Sequence, residues 1–208
     1  MVLLWLLVWL SYLAGSVPSS LLIGKLTLNV DVRQFGSGST GATNSFRVLG
    51  WRSALIILAL DIFKGWFAAA VISGWEQDGN CNMTAVLCAF AAVMGHTFPI
   101  FAGFRGGKGV ATLAGALLYL FPIAVALGAP ILSTVVFLTG YVGLGSLVTV
   151  SLLPLGSYFK FGTVNSWFGY FSILMALLIA FTHRGNLSRM LTGTENRFDK
   201  VRLFRTVR

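Results

Sequence analysis

The stretch GHTFPIFAGFRGGKGVAT, residues 95–112, joins two apolar runs through a turn too rich in glycine to continue as a helix. Gly103, Gly106, Gly107 and Gly109 allow backbone N–H groups to converge on an anion, and Arg105 and Lys108 add positive charge. Lys108 stands just before the next helix begins, where the helix dipole also favours a negative group. A phosphate suits such a turn. The P-loop of nucleotide-binding proteins does not fit, because Ala102 stands where its first glycine belongs and Gly109 follows the lysine in place of Ser or Thr. A basic turn lying on a membrane surface would account for the same cations.

The runs on either side set the class. Of 208 residues, 56% are hydrophobic and 10% charged, and the mean hydropathy of +0.83 implies more apolar surface than a soluble domain could bury. The chain therefore reads as all-α and polytopic in a membrane. The first run continues to Ile23 with no basic leader, so it is expected to be a transmembrane helix and not a cleaved signal peptide. At roughly 20 residues per crossing, seven spans are expected, with six as the fallback, near residues 2–24, 53–73, 83–101, 110–127, 130–139, 146–159 and 166–182. The fifth and sixth are short, and a broken or tilted pair is expected there because irregular backbone at membrane depth must be satisfied by protein or by a wet cavity.

Orientation follows from the cations. With seven spans, Lys25, Arg33, Arg47, Arg52, Arg105, Lys108 and every basic residue after His183 fall on one side, and Lys160 alone falls on the other. This bias puts the basic side in the cytoplasm, the N-terminus outside and the C-terminus inside. The opposite hairpin, residues 74–82, carries Glu76 and Asp78 and no cation. The net charge of +9 then reflects topology and attraction to anionic lipid, not nucleic acid. Residues 1–198 form one membrane domain and residues 199–208 a basic cytoplasmic tail. Cys81 and Cys88, seven apart, match neither a zinc nor a redox spacing. Two distant histidines and scattered acids suggest no metal site, no cofactor is implied, and no protein partner is evident.

Three further segments on the cytoplasmic side carry chemistry. The first loop contains GSGSTGATN, residues 36–44, followed by Arg47. Gly36 and Gly38 permit close backbone approach, Ser37, Ser39, Thr43 and Asn44 offer hydroxyl and amide groups, and Arg47 can grip a phosphate by two bonds. The next is residues 140–146, a glycine-rich loop ending at Ser146. In the last, His183 and Asn186 lie one turn apart where the seventh span leaves the membrane. His96 lies about two turns ahead of the glycine loop and reads equally well as a ligand or as a satisfied core histidine. Asp61 and Lys64, three apart on one helix face, are expected to pair and neutralise each other.

Three ordered motifs carry a resemblance. GSGxxGATNxxR, GHxxPxFxGFRGGKGVAT and HRxNxxRxxxGxE together resemble the bacterial acyl-phosphate:glycerol-3-phosphate acyltransferase family over nearly the whole chain to Phe198. The resemblance implies a seven-helix enzyme of the bacterial inner membrane, active on the cytoplasmic side. It would move a fatty acyl group from acyl phosphate, not acyl-CoA, to the 1-hydroxyl of glycerol 3-phosphate, giving lysophosphatidic acid and phosphate. By the same likeness Ser37, Arg47, Lys108, Ser146, His183 and Asn186 match active-site positions, and the glycine turn is the phosphate loop. No covalent acyl-enzyme is implied, and a substrate phosphate is available as base.

Two positions depart from the family pattern: Ser39 where many members carry Asn, and Gly143 where many carry a hydroxyl residue. The chemistry suits the residues, since acyl phosphate already has a good leaving group and the protein's task reduces to holding two anions in register. A nucleophilic Ser146–His183 pair ranks below direct transfer, because no carboxylate is evident to orient the histidine. A transporter or channel for phosphate-type anions is the rival reading. It would call for polar features on both sides and an internal repeat, neither of which is apparent.

Overall fold

The computed structural model describes residues 1–76 and 81–198; Asp78 of the acidic hairpin and the basic tail lie outside this range. All regular structure among the described residues is helical. Segments Val2–Leu28, Trp51–Trp75, Asn82–Ala102, Pro122–Thr139 and Val142–Phe161 are each long and apolar enough to cross a bilayer. Trp167–Thr182 and Arg184–Leu191, bent by 51°, make a sixth if taken as one span. Val110–Leu120 is apolar but has 11 residues, about 16 Å of helix. Trp5, Leu55, Leu127 and Leu177 stand exposed while Ser11, Ser16, Thr84, Thr112 and Ser172 are buried. That arrangement suits a chain whose solvent is hydrocarbon. The chain divides into two compact units, Met1–Phe121 and Pro122–Arg208.

The first unit contains α1 (Val2–Ser16), α2 (Ser19–Leu28), α3 (Ala42–Leu49), α4 (Trp51–Phe67), α5 (Cys81–Thr97) and α6 (Val110–Leu120). The single helix expected over residues 2–24 is broken at Val17 and Pro18, and it resumes as far as Leu28. Proline drives the residue before it out of the helical region, and Val17 accordingly has ψ 116. The carbonyl of Val17 accepts a hydrogen bond from Lys64 Nζ at 3.3 Å, so a buried side chain satisfies the break. Asn44 and Arg47, expected in a loop, lie on the short helix α3. Helix α4 runs on through a π turn and a 3-10 turn to Trp75.

Small residues close the helix pairs of this unit. A Cβ on Gly15 would overlap the Ala92 backbone, and one on Gly95 would overlap the Tyr12 carbonyl, so α1 and α5 touch backbone to backbone. Gly65 against Thr112 and Gly115 against Ile62 do the same for α4 and α6. Lipid is as apolar as leucine, so helices in a bilayer gain little from hydrophobic burial and much from this close van der Waals approach.

The second unit contains α7 (Pro122–Thr139), α8 (Val142–Ser151), α9 (Leu153–Phe161), α10 (Trp167–Thr182) and α11 (Arg184–Leu191). Here the expected boundaries 110–127 and 130–139 are wrong. The break falls at Phe121, which has φ −157 and ψ 71, and Pro122 begins the next helix, where its missing N–H is of no consequence. Pro130 lies inside α7 and does not start a span. The expected loop 140–146 also shrinks: α8 begins at Val142, and Gly143 and Ser146 are helical. The described end of the chain folds back on this corner. The Phe198 N–H donates to the Gly140 carbonyl at 2.9 Å and Arg197 Nε donates to the Tyr141 hydroxyl at 2.6 Å.

Candidate functional site

In the first loop one side chain organises the others. Asn44 is 1% exposed, and its amide nitrogen donates to the carbonyls of Val32, Phe35 and Ser39 at 3.0, 3.1 and 3.0 Å. Its Oδ1 accepts the Ser37 N–H at 2.8 Å. The amide donors that Asn44 offered to a ligand are thus committed to the loop itself. Gly36 has φ 60, and a Cβ there would overlap Asn44 Oδ1, so glycine is required by conformation and by space. Gly38, with φ 70, follows the same turn, and Ser39 Oγ accepts the Gly41 N–H. Ser37 and Thr43 remain half-buried, and Arg47 lies half-buried in the last turn of α3.

This loop is tied to the glycine turn by a pair that sequence reading missed. Arg33 donates Nε and Nη2 to the Asp31 carboxylate at 2.7–3.1 Å and reaches the Ala102 carbonyl with Nη1 at 2.9 Å. The Arg33 guanidinium holds the Asp31 carboxyl below the usual carboxylate range. The available signal was an acid two residues from an arginine in a loop otherwise without acids. Tyr12 of α1 also holds the approach to that turn, donating its hydroxyl to the Phe98 carbonyl at 2.8 Å.

The glycine turn itself is internally bonded. The Phe104 N–H donates to Pro99 O at 2.8 Å, and the Gly107 N–H to His96 O at 3.1 Å. The Gly107 amide is therefore not one of the donors left for an anion. A Cβ on Gly106 would overlap the His96 carbonyl, and one on Gly107 would overlap the His96 imidazole at Nε2. Gly109, at φ 87, caps α6, and its carbonyl accepts the Leu113 N–H at 2.8 Å. Lys108 sits half-buried one residue before that cap, and Arg105 is exposed. A half-buried ammonium at the positive end of a helix suits a phosphate group.

Below the turn, Asp61 and Lys64 form the pair expected of them, with Nζ 2.9 Å from Oδ1. His96 joins it. Its Nδ1 lies 3.5 Å from the same Asp61 oxygen, which also accepts from Ser19 Oγ at 3.0 Å.

In the second unit, His183 and Asn186 are buried where α10 meets α11, and Ser146 is buried on α8. Ser146 Oγ donates to the Val142 carbonyl of its own helix at 3.0 Å. His183 Nδ1 lies 2.9 Å from the Ile179 carbonyl, so that nitrogen carries a proton and a backbone oxygen, not a carboxylate, orients the ring. Asn186 donates Nδ2 to Glu195 Oε1 at 2.8 Å, and Arg189 donates Nε to Glu195 Oε2 at 2.8 Å. Glu195, quoted within the third motif but not counted among the site residues, is what aligns them. Gly143 lies against Asn186, where an added Cβ would stand 3.1 Å from Nδ2. Among the described residues no three His, Cys, Asp or Glu side chains cluster as a metal site.

Helices of membrane-spanning length, with a cationic glycine turn at the start of one helix, define the class as an integral membrane protein. Comparison with known proteins makes the class specific. The sequence model of the family described as glycerol-3-phosphate acyltransferase matches residues 5–193, and the chain belongs to that family. A glycerol-3-phosphate acyltransferase of Halalkalibacterium halodurans is 44% identical over 202 residues, covering 94% of this chain and 96% of its own. One from Chlorobaculum tepidum is 37% identical over 215 residues, covering 90% and 93%. The fold is similar to crystal structures of PlsY (YgiH), an integral membrane glycerol 3-phosphate acyltransferase. Its glycerol 3-phosphate form gives a TM-score of 0.85 at 33% identity over 94% of this chain and 95% of that one. Its lysophosphatidic acid form gives 0.82 at 32% identity, with the same coverage.

Proposed function

We propose that this protein transfers a fatty acyl group from acyl phosphate to the 1-hydroxyl of glycerol 3-phosphate, releasing lysophosphatidic acid and inorganic phosphate. The observation that carries the reading is the glycine turn, with Lys108 at the start of α6 and its backbone held by His96, in a member of the glycerol-3-phosphate acyltransferase family. Arg47 and Lys108 bind substrate phosphates, Ser37 and the glycine turn contribute hydrogen bonds, and Ser146, His183 and Asn186 serve the same reaction. The glycerol oxygen attacks the acyl carbonyl, the new ester C–O bond forms, and the C–O bond to phosphate breaks. The hydroxyl proton passes to a phosphate oxygen. Ser146 is not acylated, a role that its hydrogen bond to the Val142 carbonyl also argues against. The protein's share of catalysis is position and charge.

The membrane arrangement we propose has seven crossings, the bent α10–α11 pair being one and the short α6 another. The N-terminus is outside, and the active site and C-terminus face the cytoplasm across the bacterial inner membrane. Residues 1–198 form the enzyme and residues 199–208 a lipid-attracted tail.

The test is a transfer assay on purified protein with glycerol 3-phosphate and either palmitoyl phosphate or palmitoyl-CoA. Product from the acyl phosphate alone is expected, and product from palmitoyl-CoA would replace the donor. Arg47→Ala and Lys108→Ala are each expected to abolish turnover in folded protein; normal turnover in either would refute the anion site. No product with either donor, together with phosphate flux into vesicles, would favour a transporter.

A further inference from the structure

Asp61, Lys64 and His96 form a buried polar cluster on two helices of the apolar first unit, at 1%, 7% and 6% exposure. A buried ion pair is a poor source of stability, since apolar side chains of similar size commonly do as well or better. Its place in the fold suggests another use. One carboxylate oxygen of Asp61 gathers Lys64 Nζ, Ser19 Oγ and His96 Nδ1, and Lys64 reaches on to the Val17 carbonyl at the α1–α2 break. The small pocket around them, on the scale of a single water molecule, is also lined by Thr40 of the first loop and Pro99 of the approach to the glycine turn. The histidine in turn touches that turn twice. Its backbone carbonyl takes the Gly107 N–H, and its ring edge at Nε2 fills the place a Cβ of residue 107 would need.

We propose that Asp61, charge-balanced by Lys64, is a positioning residue that locks the His96 ring with Nδ1–H toward its carboxylate and Nε2 against Gly107, and so holds the turn carrying Lys108 in its anion-binding shape. This rests on the reading of that turn as the substrate-phosphate site. The nitrogen facing a carboxylate carries a proton, because a bare lone pair there would be repelled. Rotating the ring by half a turn would present a carbon to Asp61 and exchange Nε2 for a carbon beside Gly107. Neither Asp61 nor Lys64 needs to touch substrate; both act through His96.

The chain has two histidines, so 15N-histidine labelling yields two imidazole spin systems, and a His183→Gln protein assigns them. In the wild-type protein His96 is expected to be protonated at Nδ1; an unprotonated Nδ1 overturns the proposal. The variant Asp61→Asn/Lys64→Gln removes both charges together and leaves neither stranded. In folded variant protein the Nδ1–H preference is expected to fall away, and KM for glycerol 3-phosphate to rise about tenfold with kcat changed much less, the signature of lost binding and not of lost chemistry. An unchanged KM in folded protein overturns it. If that variant does not fold, His96→Gln, whose amide reaches the place of Nε2, is expected to keep a lower KM than His96→Ala, and equal values overturn the proposal. The spectrum requires no turnover. A wild-type protein that forms no lysophosphatidic acid would therefore refute the proposed function and leave the ring's orientation separately measured.

Discussion

Asn44→Asp changes one NH2 group to an oxygen and alters almost nothing in size, yet it should dismantle the first loop. In the native loop the amide nitrogen donates to three carbonyls, those of Val32, Phe35 and Ser39, all within 3.1 Å. An aspartate there sets a charged oxygen against three carbonyl oxygens with no proton between them. Lost hydrogen bonds contribute ~1 kcal/mol each, and a stranded buried acceptor costs ~1–3 kcal/mol. The loop can open toward water and recover part of this, so a net loss of about 3 kcal/mol in local stability is expected. That corresponds to about a 100-fold fall in protection. Hydrogen exchange at residues 35–41 reads it directly, because the Ser37 N–H is bonded to Asn44 Oδ1. Asn44→Asp protein should exchange those amides about 100-fold faster and lose affinity for glycerol 3-phosphate, while amides in the middle of α5 remain protected. Native protection across the loop in the Asp variant would refute the assignment of Asn44 as its organiser.

Gly107→Ala drives a Cβ into the His96 ring, and the turn must shift by about an ångström, so kcat/KM is expected to fall on the order of 100-fold with the protein still folded; steady-state kinetics in detergent checks this. The Asp31 carboxyl is held low by Arg33, so the clamp's contribution is complete above the ordinary carboxylate pKa near 4 and is lost as pH falls through the depressed native value. Exchange at Ala102 and its neighbours should therefore accelerate below about pH 4, and Asp31→Asn should be loose at every pH. Glu195→Ala leaves Asn186 and Arg189 without their shared acceptor, and a thermal midpoint lowered by several degrees with reduced turnover is expected.

The sequence makes some of this plain and hides the rest for physical reasons. Apolar runs of span length identify the membrane helices because hydropathy is a local property. The prolines were harder to place. Pro18 and Pro122 begin helices and Pro130 sits within one, and only the geometry of Val17 and Phe121 separates the cases. Asn44 advertised its donors but not their recipients, which are the carbonyls of its own loop. His183 is oriented by a backbone carbonyl, a partner that residue types in a sequence do not single out. The carboxylate beside a histidine is Asp61, 35 positions from His96 and across a helix pair, and no local pattern records that approach. The charge spacing of Asp61 and Lys64 did reveal their pairing, because three residues apart on a helix is itself a contact.

The backbone-to-backbone seams at Gly15, Gly95, Gly65 and Gly115 bear on how this protein can vary over generations. At these four places a methyl group has no room, whereas Trp5, Leu55, Leu127 and Leu177 stand exposed, where other side chains of similar greasiness can be accommodated. Sequence drift is therefore channelled outward. In a library of random variants, survivors should crowd the exposed apolar positions, while the four glycines stay untouched even though none of them is among the proposed site residues.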